Sequence, residues 1–305
     1  MKYYFCIDIG GTDIKGGVID QNYKVLYQDK MKTSSIKQHG TLGKTLKFFI
    51  ECMAEKSNYS TKCMSGIGIG CPGLIDGSSG TIKYSACLNL SNYPLTKELK
   101  KYFNVPVKLA NDAELACLAE KNIGAAKKYS TFVMLTLGTG IGSGIVINGK
   151  SVRESSPFAC EIGHNLVAGS KKTFEQLAST KALVEQTKQA MKENQNSKLW
   201  KTYKPETVDG QAVFEYKNID STAKRVFDNF IETLGLGIVN ICNTLCPQVI
   251  VIGGAISAQG SALIEPLEDY VNSKIFTKNI INKIKIVPAK FQNGAGILGA
   301  RCLFE

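Results

Sequence analysis

The residues best suited to chemistry in this chain are carboxylates and glycines set at the ends of apolar runs. The first group is Asp8-Ile9-Gly10-Gly11-Thr12, followed by Lys15. Phosphate oxygens concentrate charge, and backbone N–H groups reach them only where side chains do not intervene. Gly10 and Gly11 allow that approach, the Thr12 hydroxyl can donate to a phosphate, and Lys15 offsets charge nearby. Asp8, just before the turn, is placed to hold Mg2+ through water, because that ion keeps much of its hydration shell. A bare hairpin turn is the competing reading of a diglycine, and the acid, threonine and lysine around it favour phosphate. A second turn of the same character, Gly138-Thr139-Gly140-Ile141-Gly142, reads as a second set of backbone donors, or as a sharp hairpin without ligand. Between them lies Asn111-Asp112. A carboxylate there can take a proton from a hydroxyl nucleophile, yet Asn and Asp are also favoured helix caps. Local sequence alone favours the cap.

These groups need elements to position them. Tyr4 to Ile9 and Gly16 to Asp20 read as strands flanking the first turn. A helix is expected from Leu42 to Glu55, a buried strand over Gly66 to Gly70, and the turn Cys71-Pro72-Gly73. The strand Val107 to Ala110 then runs into Asn111-Asp112 and a helix from Ala113 to about Lys121. The opening repeats in Thr131 to Leu137, the second glycine turn, and Ser143 to Ile147. A long amphipathic helix follows over Thr222 to Cys246, then a buried strand, Val249 to Ile252, ending at Gly253-Gly254. Gly294 to Ala300 predicts a small-residue helix packed closely on a neighbour, and Glu193 to Asn218 a polar surface excursion. Two strand–glycine turn–strand openings predict a duplicated α/β architecture with a cleft between the copies. Gly68-Ile69-Gly70-Cys71-Pro72-Gly73 formally matches the dinucleotide fingerprint, but no helix opens after it, so that reading is rejected.

Composition narrows the class. The chain has 305 residues, 44% hydrophobic and 21% charged, the balance of a globular protein long enough for two lobes. No apolar run approaches the roughly 20 residues of a membrane helix, and the N-terminal stretch lacks the features of a signal peptide. The expectation is a cytoplasmic protein without a membrane partner. Ten scattered cysteines form no C-x-x-C pair and read as reduced, mostly buried thiols. The net charge of +11 is dispersed over lysines and reads as a solvated surface that helps attract an anionic nucleotide, not as a nucleic-acid footprint.

In this order the motifs resemble those of the ROK-family sugar kinases. The resemblance runs through Asp8 to Lys15, Gly70-Cys71-Pro72-Gly73-Leu74-Ile75-Asp76, Asn111-Asp112, Leu137 to Gly142, Glu161-Ile162-Gly163-His164 and Ile252-Gly253-Gly254. It implies the actin-like ATPase (ribonuclease H-like) fold, with one α/β lobe over 1–112 plus 290–305 and the other over 113–289. It implies ATP and Mg2+ as cofactors, a hexose or amino-sugar substrate, and a homodimer. By resemblance Asp112 is the base acting on a primary hydroxyl, and Asn111 hydrogen-bonds the ring hydroxyls. Gly73, Glu161, His164 and Glu175 join the sugar pocket, and Gly253-Gly254 lies against adenosine. His164 is otherwise a satisfied structural histidine, and Glu175 a solvated helix residue. The implied reaction is phosphorylation of a hexose 6-hydroxyl, as in a glucokinase, with N-acetylmannosamine or β-glucoside kinases as rivals. A sugar-responsive regulator or a silent sugar-binding protein is the alternative of another class. The first strand is expected to begin at about Lys2, without a preceding DNA-binding extension.

Two departures stand out. Many members follow the histidine with three cysteines that complete a structural zinc site, and here Asn165 to Thr187 contains none. One imidazole cannot make the tetrahedral site zinc prefers, so no structural zinc is expected. The family usually has glycines before the glutamate, where this chain reads Ser155-Ser156-Pro157-Phe158-Ala159-Cys160.

Overall fold

The computed structural model describes residues 1–280, 283–292 and 294–305. Positions 281 and 282, within the expected second lobe, and 293, within the expected first, lie outside the described residues. The chain forms two compact units, residues 1–124 with 151–159 and 294–305, and residues 125–150 with 160–292.

In the first unit, β1 (Tyr3–Ile9), β2 (Asp13–Asp20) and β3 (Val25–Lys32) form an antiparallel meander. β4 (Gly66–Cys71) then adds parallel to β1, while β5 (Leu74–Asp76), β6 (Thr81–Ser85) and β7 (Leu90–Tyr93) form a small antiparallel sheet. β8 (Val107–Asn111) completes the main sheet in the order β3-β2-β1-β4-β8. Phe5, Ile7, Ile9, Ile67 and Ile69 are fully buried in one core with Leu46, Phe49, Ile50 and Met53 of the helix Leu42–Ser57. The alternation in β4 has a steric purpose. A Cβ on Gly68 would lie 2.1 Å from the carbonyl oxygen of Ala300, so the C-terminal helix Ala295–Cys302 docks where the strand has no side chains.

The second unit repeats the plan. β9 (Phe132–Leu137) and β10 (Ile141–Ile147) are antiparallel, and β11 (Lys150–Ser151) flanks β10. β12 (Val249–Gly253) runs parallel to β9 and β13 (Lys285–Pro288) parallel to β12, giving the order β11-β10-β9-β12-β13. The helix Ser221–Leu245 covers this sheet with a stripe at helical spacing: Val226, Phe227, Phe230, Ile231, Leu234, Ile238, Val239 and Cys242. Asp220 caps its start through the amide of Ala223, and Cys246 ends it in a left-handed conformation, φ 43°. Each half therefore has a hairpin followed by parallel strands, the mixed α/β plan of the actin-like ATPase fold.

Three expectations are adjusted. The helix Asp112–Ile123 and residues 151–159 group with the first unit, so the first unit extends past 112. The reason is packing: the backbone of Leu115 lies 2.0 Å from where a Gly299 Cβ would stand, locking this helix to the C-terminal one. Glu193 to Asn218 is not a bare excursion. It contains the short helices Lys198–Lys201 and Gln211–Tyr216 around a core of Met191, Leu199, Val208, Ala212 and Ala223. Its few apolar residues are spaced by turns, which hides their convergence from any periodic reading. All ten cysteines are thiols outside any disulfide, and Cys63, Cys87 and Cys246 are exposed, the last because it serves as a helix end instead of a core thiol.

Candidate active site

In the first unit the site residues gather at the carboxyl ends of three parallel strands. Register pairs Asp8 with Gly70, and Cys71 with Asn111, so β1, β4 and β8 finish side by side. Ligands of open α/β sheets bind at such ends. Across the hairpin Asp8 pairs with Lys15. Beyond Asp8 the chain leaves the sheet, with the Gly10 N–H donating to the Asp13 carbonyl at 2.9 Å. The turn is held from outside, since the Thr33 hydroxyl donates to the Gly10 carbonyl at 2.7 Å and the Thr33 amide to the Thr12 carbonyl at 2.9 Å. Gly11 and Thr12 remain exposed.

Asp8 itself is confined. Burial, and then the charge of Asp112, push its pKa up to about 6 against the opposing pull of Lys15. The C-terminal helix contributes to this confinement, because a Cβ on Gly296 would lie 2.3 Å from both Cγ and Oδ2 of Asp8. The neighbouring thiol of Cys71 is pushed far up by burial and then by the Asp112, Cys87 and Asp8 charges. Two carboxylates and a buried thiol thus share one polar niche. A dication beside Asp8 would relieve the mutual repulsion of its charge with Asp112, so this donor set fits Mg2+.

Asn111 has a local task. Its Oδ1 accepts from the amides of Ala113 at 2.9 Å and Glu114 at 3.3 Å, capping the helix, while its Nδ2 donates to the Gly73 carbonyl at 3.0 Å. Gly73 needs its missing side chain, with φ +117° and the Tyr84 carbonyl oxygen 2.2 Å from where a Cβ would stand. The cap anticipated from local sequence therefore belongs to Asn111, and it leaves Asp112 exposed in the first helical turn. Half-buried nearby, Glu114 accepts from the Ser151 hydroxyl at 3.0 Å, and desolvation raises its pKa against that hydrogen bond and the charge of Arg153.

In the second unit the Gly138 to Ile141 turn meets the expected sugar residues. The Gly138 amide donates to the Gly140 carbonyl at 2.9 Å. The Ile141 amide donates to Glu175 Oε2 at 3.2 Å, while Glu175 Oε1 lies 3.9 Å from His164 Nδ1. Glu161 precedes the short helix Ile162–His164. Its backbone is braced by Ser143, a buried hydroxyl that donates to the Cys160 carbonyl and accepts from the Ile162 amide. Cys160 has φ +65°, a conformation glycine adopts freely. Gly254 directly follows β12 with φ +90°, and a Cβ there would lie 2.0 Å from the Leu137 carbonyl oxygen. The diglycine therefore sits against the end of β9, beside the second turn.

Sequence motifs missed three contributors: Gly296 beside Asp8, Thr33 on the first turn, and Ser143 beneath Glu161. Only Gly296 left a signal, in the glycine spacing of the last helix. Among the described residues no group of three or more His, Cys, Asp or Glu side chains is placed to hold a metal ion. No helix among them is long and apolar enough to cross a membrane.

The duplicated plan and the motif order have counterparts among known proteins, and residues 4–305 match the ROK family. The chain belongs to the ROK family. Its relatives include both glucokinases and xylose repressors. An uncharacterised protein of Clostridium perfringens is 33% identical over 100% of this chain and 98% of its own. A glucokinase of Halalkalibacterium halodurans is 28% identical, covering 100% and 95%. A xylose repressor of Caldicellulosiruptor bescii is 30% identical, but this chain matches only 65% of it. Among solved structures, a ROK glucokinase from Streptomyces griseus in complex with glucose and AMPPNP superposes with a TM-score of 0.82 at 24% identity, covering 99% and 98%. Kinases and repressors of the ROK family thus share this fold.

Proposed function

We propose that the chain is an ATP-dependent sugar kinase that phosphorylates the primary hydroxyl of a hexose. The observation that carries this reading is the Asp8–Asp112 pair at the carboxyl ends of β1 and β8, close enough for the charge of Asp112 to raise Asp8. A sugar hydroxyl is a weak nucleophile, and Asp112, exposed in the first turn of its helix, accepts its proton as the phosphoryl bond forms. Mg2+ held by Asp8 through water would neutralise phosphate charge. Gly10, Gly11 and Thr12, with Lys15, and Gly138, Thr139 and Gly140 bind phosphates through backbone and hydroxyl donors. Gly253 and Gly254 leave room for adenosine. Gly73, Asn111, Glu161, His164 and Glu175 orient the sugar, with the spare amide capacity of Asn111 limited by its cap.

A glucokinase-like 6-hydroxyl specificity is the leading assignment, and an N-acetylmannosamine or β-glucoside specificity its rival. The 30% identity to a xylose repressor favours a second reading, a sugar-responsive regulator without turnover. A panel of glucose, N-acetylmannosamine, N-acetylglucosamine, mannose, fructose, allose and a β-glucoside, assayed with ATP and Mg2+ by kcat/KM, separates these. Turnover of one or more sugars supports the kinase. Binding without turnover supports the regulator.

A further inference from the structure

We propose that Glu175 couples the sugar end of the second unit to its phosphate turn, so that an occupied sugar site tightens nucleotide binding. The inference rests on the kinase reading above and adds a positioning role to a residue otherwise expected only to touch sugar.

Glu175 faces two ways. Oε2 accepts the Ile141 amide at 3.2 Å, and the turn has been cleared for it, since a Cβ on Gly140 would lie 2.3 Å from that oxygen. Oε1 lies 3.9 Å from His164 Nδ1. A Cβ on Gly163 would stand 2.2 Å from the Ile141 carbonyl oxygen and 3.3 Å from Glu175 Oε2, so the histidine-bearing turn also abuts the phosphate turn. Three segments therefore meet at one carboxylate.

The helix Phe174–Ala178 that carries Glu175 is itself tied at both ends. Upstream, the Phe174 amide donates to the Asn165 carbonyl at 2.8 Å, next to His164. Downstream, the Thr180 hydroxyl donates to the Leu137 carbonyl and the Lys181 amide to the Gly138 carbonyl, both at 3.1 Å. Phe174 is buried against Gly237, where a Cβ would lie 2.3 Å from its ring. One short, anchored helix thus holds the Gly138 to Ile141 backbone on one side and the His164 turn on the other. Sugar that engages His164 or Oε1 fixes the carboxylate, and the fixed carboxylate orders the Ile141 amide and the donors beside it. Coupling between sites is reciprocal, so nucleotide tightens sugar by the same factor.

The test measures the dissociation constant of Mg2+–AMPPNP with and without a saturating sugar that the wild type phosphorylates. Wild type should bind the nucleotide about tenfold more tightly with sugar present, the scale of ordinary coupling. Glu175→Ala should lose that enhancement and bind nucleotide more weakly even without sugar. Glu175→Gln keeps an acceptor for the Ile141 amide, so its sugar-free nucleotide affinity should stay near wild type while the enhancement shrinks. Wild type that turns over sugar without enhancement, or either variant that keeps the full enhancement, overturns the coupling. If Glu175→Ala does not fold, Glu175→Gln decides alone. Wild type that phosphorylates no sugar overturns the kinase reading itself, a distinguishable result.

Discussion

At the residue scale the proposed chemistry concentrates on two carboxylates with opposite environments. Asp112 is exposed at a helix start, whereas Asp8 is crowded by Gly70, Gly296 and the Asp112 charge. Replacing Asp112 with Ala should leave sugar affinity nearly unchanged and lower kcat by about 10^3-fold or more, as loss of a general base does. Equilibrium binding beside steady-state kinetics checks this, and retained turnover would remove Asp112 from the mechanism. Asp8 makes a prediction of stability. An unfolded chain releases this proton near the ordinary 3.8, and the fold only near 6. A carboxyl with a raised pKa favours the fold while protonated, so stability falls as pH rises between those values, by roughly 2–3 kcal/mol. Asp8→Asn should therefore melt higher than wild type in metal-free buffer at pH 7.5, with the gap closing toward pH 4, while its kinase activity is lost. Both carboxylates were legible as motifs in the sequence. Their mutual influence was not, because it depends on β1 and β8 being placed two strands apart by β4.

At the element scale, glycines decide how closely helices approach. The C-terminal helix reaches Asp8 through Gly296 and β4 through Gly68. Gly296→Ala should shift the Asp8 carboxylate, lowering kcat by about tenfold or more and raising the Mg2+ needed for half-maximal rate. Gly68→Ala meets the Ala300 backbone, which cannot give way as a flexible side chain does, and should destabilise by about 1–3 kcal/mol. Comparing melting curves and Mg2+ titrations of the two variants separates a site effect from a packing effect. The glycine spacing of the last helix predicted close packing, but its partner was invisible, since residues 8 and 296 are brought together only by the fold. The segment after Glu193 shows the opposite case, a small core whose members lack any period that sequence reading could detect.

At the scale of the whole molecule, a chain of net charge +11 would attract the polyanionic nucleotide of the proposed reaction. The KM for ATP should rise severalfold between low and about 0.3 M salt, as screening shortens the reach of the surface lysines, while the KM for a neutral sugar stays nearly constant. A salt series with both substrates checks the contrast. The duplicated hairpin-and-parallel-strand plan was readable because each copy opens with β-forming residues around a glycine turn, a local pattern. So was the placing of both glycine turns at strand ends, whereas the site roles of Asp112 and Glu161 rest on resemblance to the family and stand as proposals. Tertiary structure alone decided that Asn111 spends its side chain on a cap, that Gly296 confines Asp8, that Ser143 braces Glu161, and that Glu175 joins His164 to the second turn. Each is a contact between residues distant along the chain or a competition for the same donor, and neither is encoded in spacing.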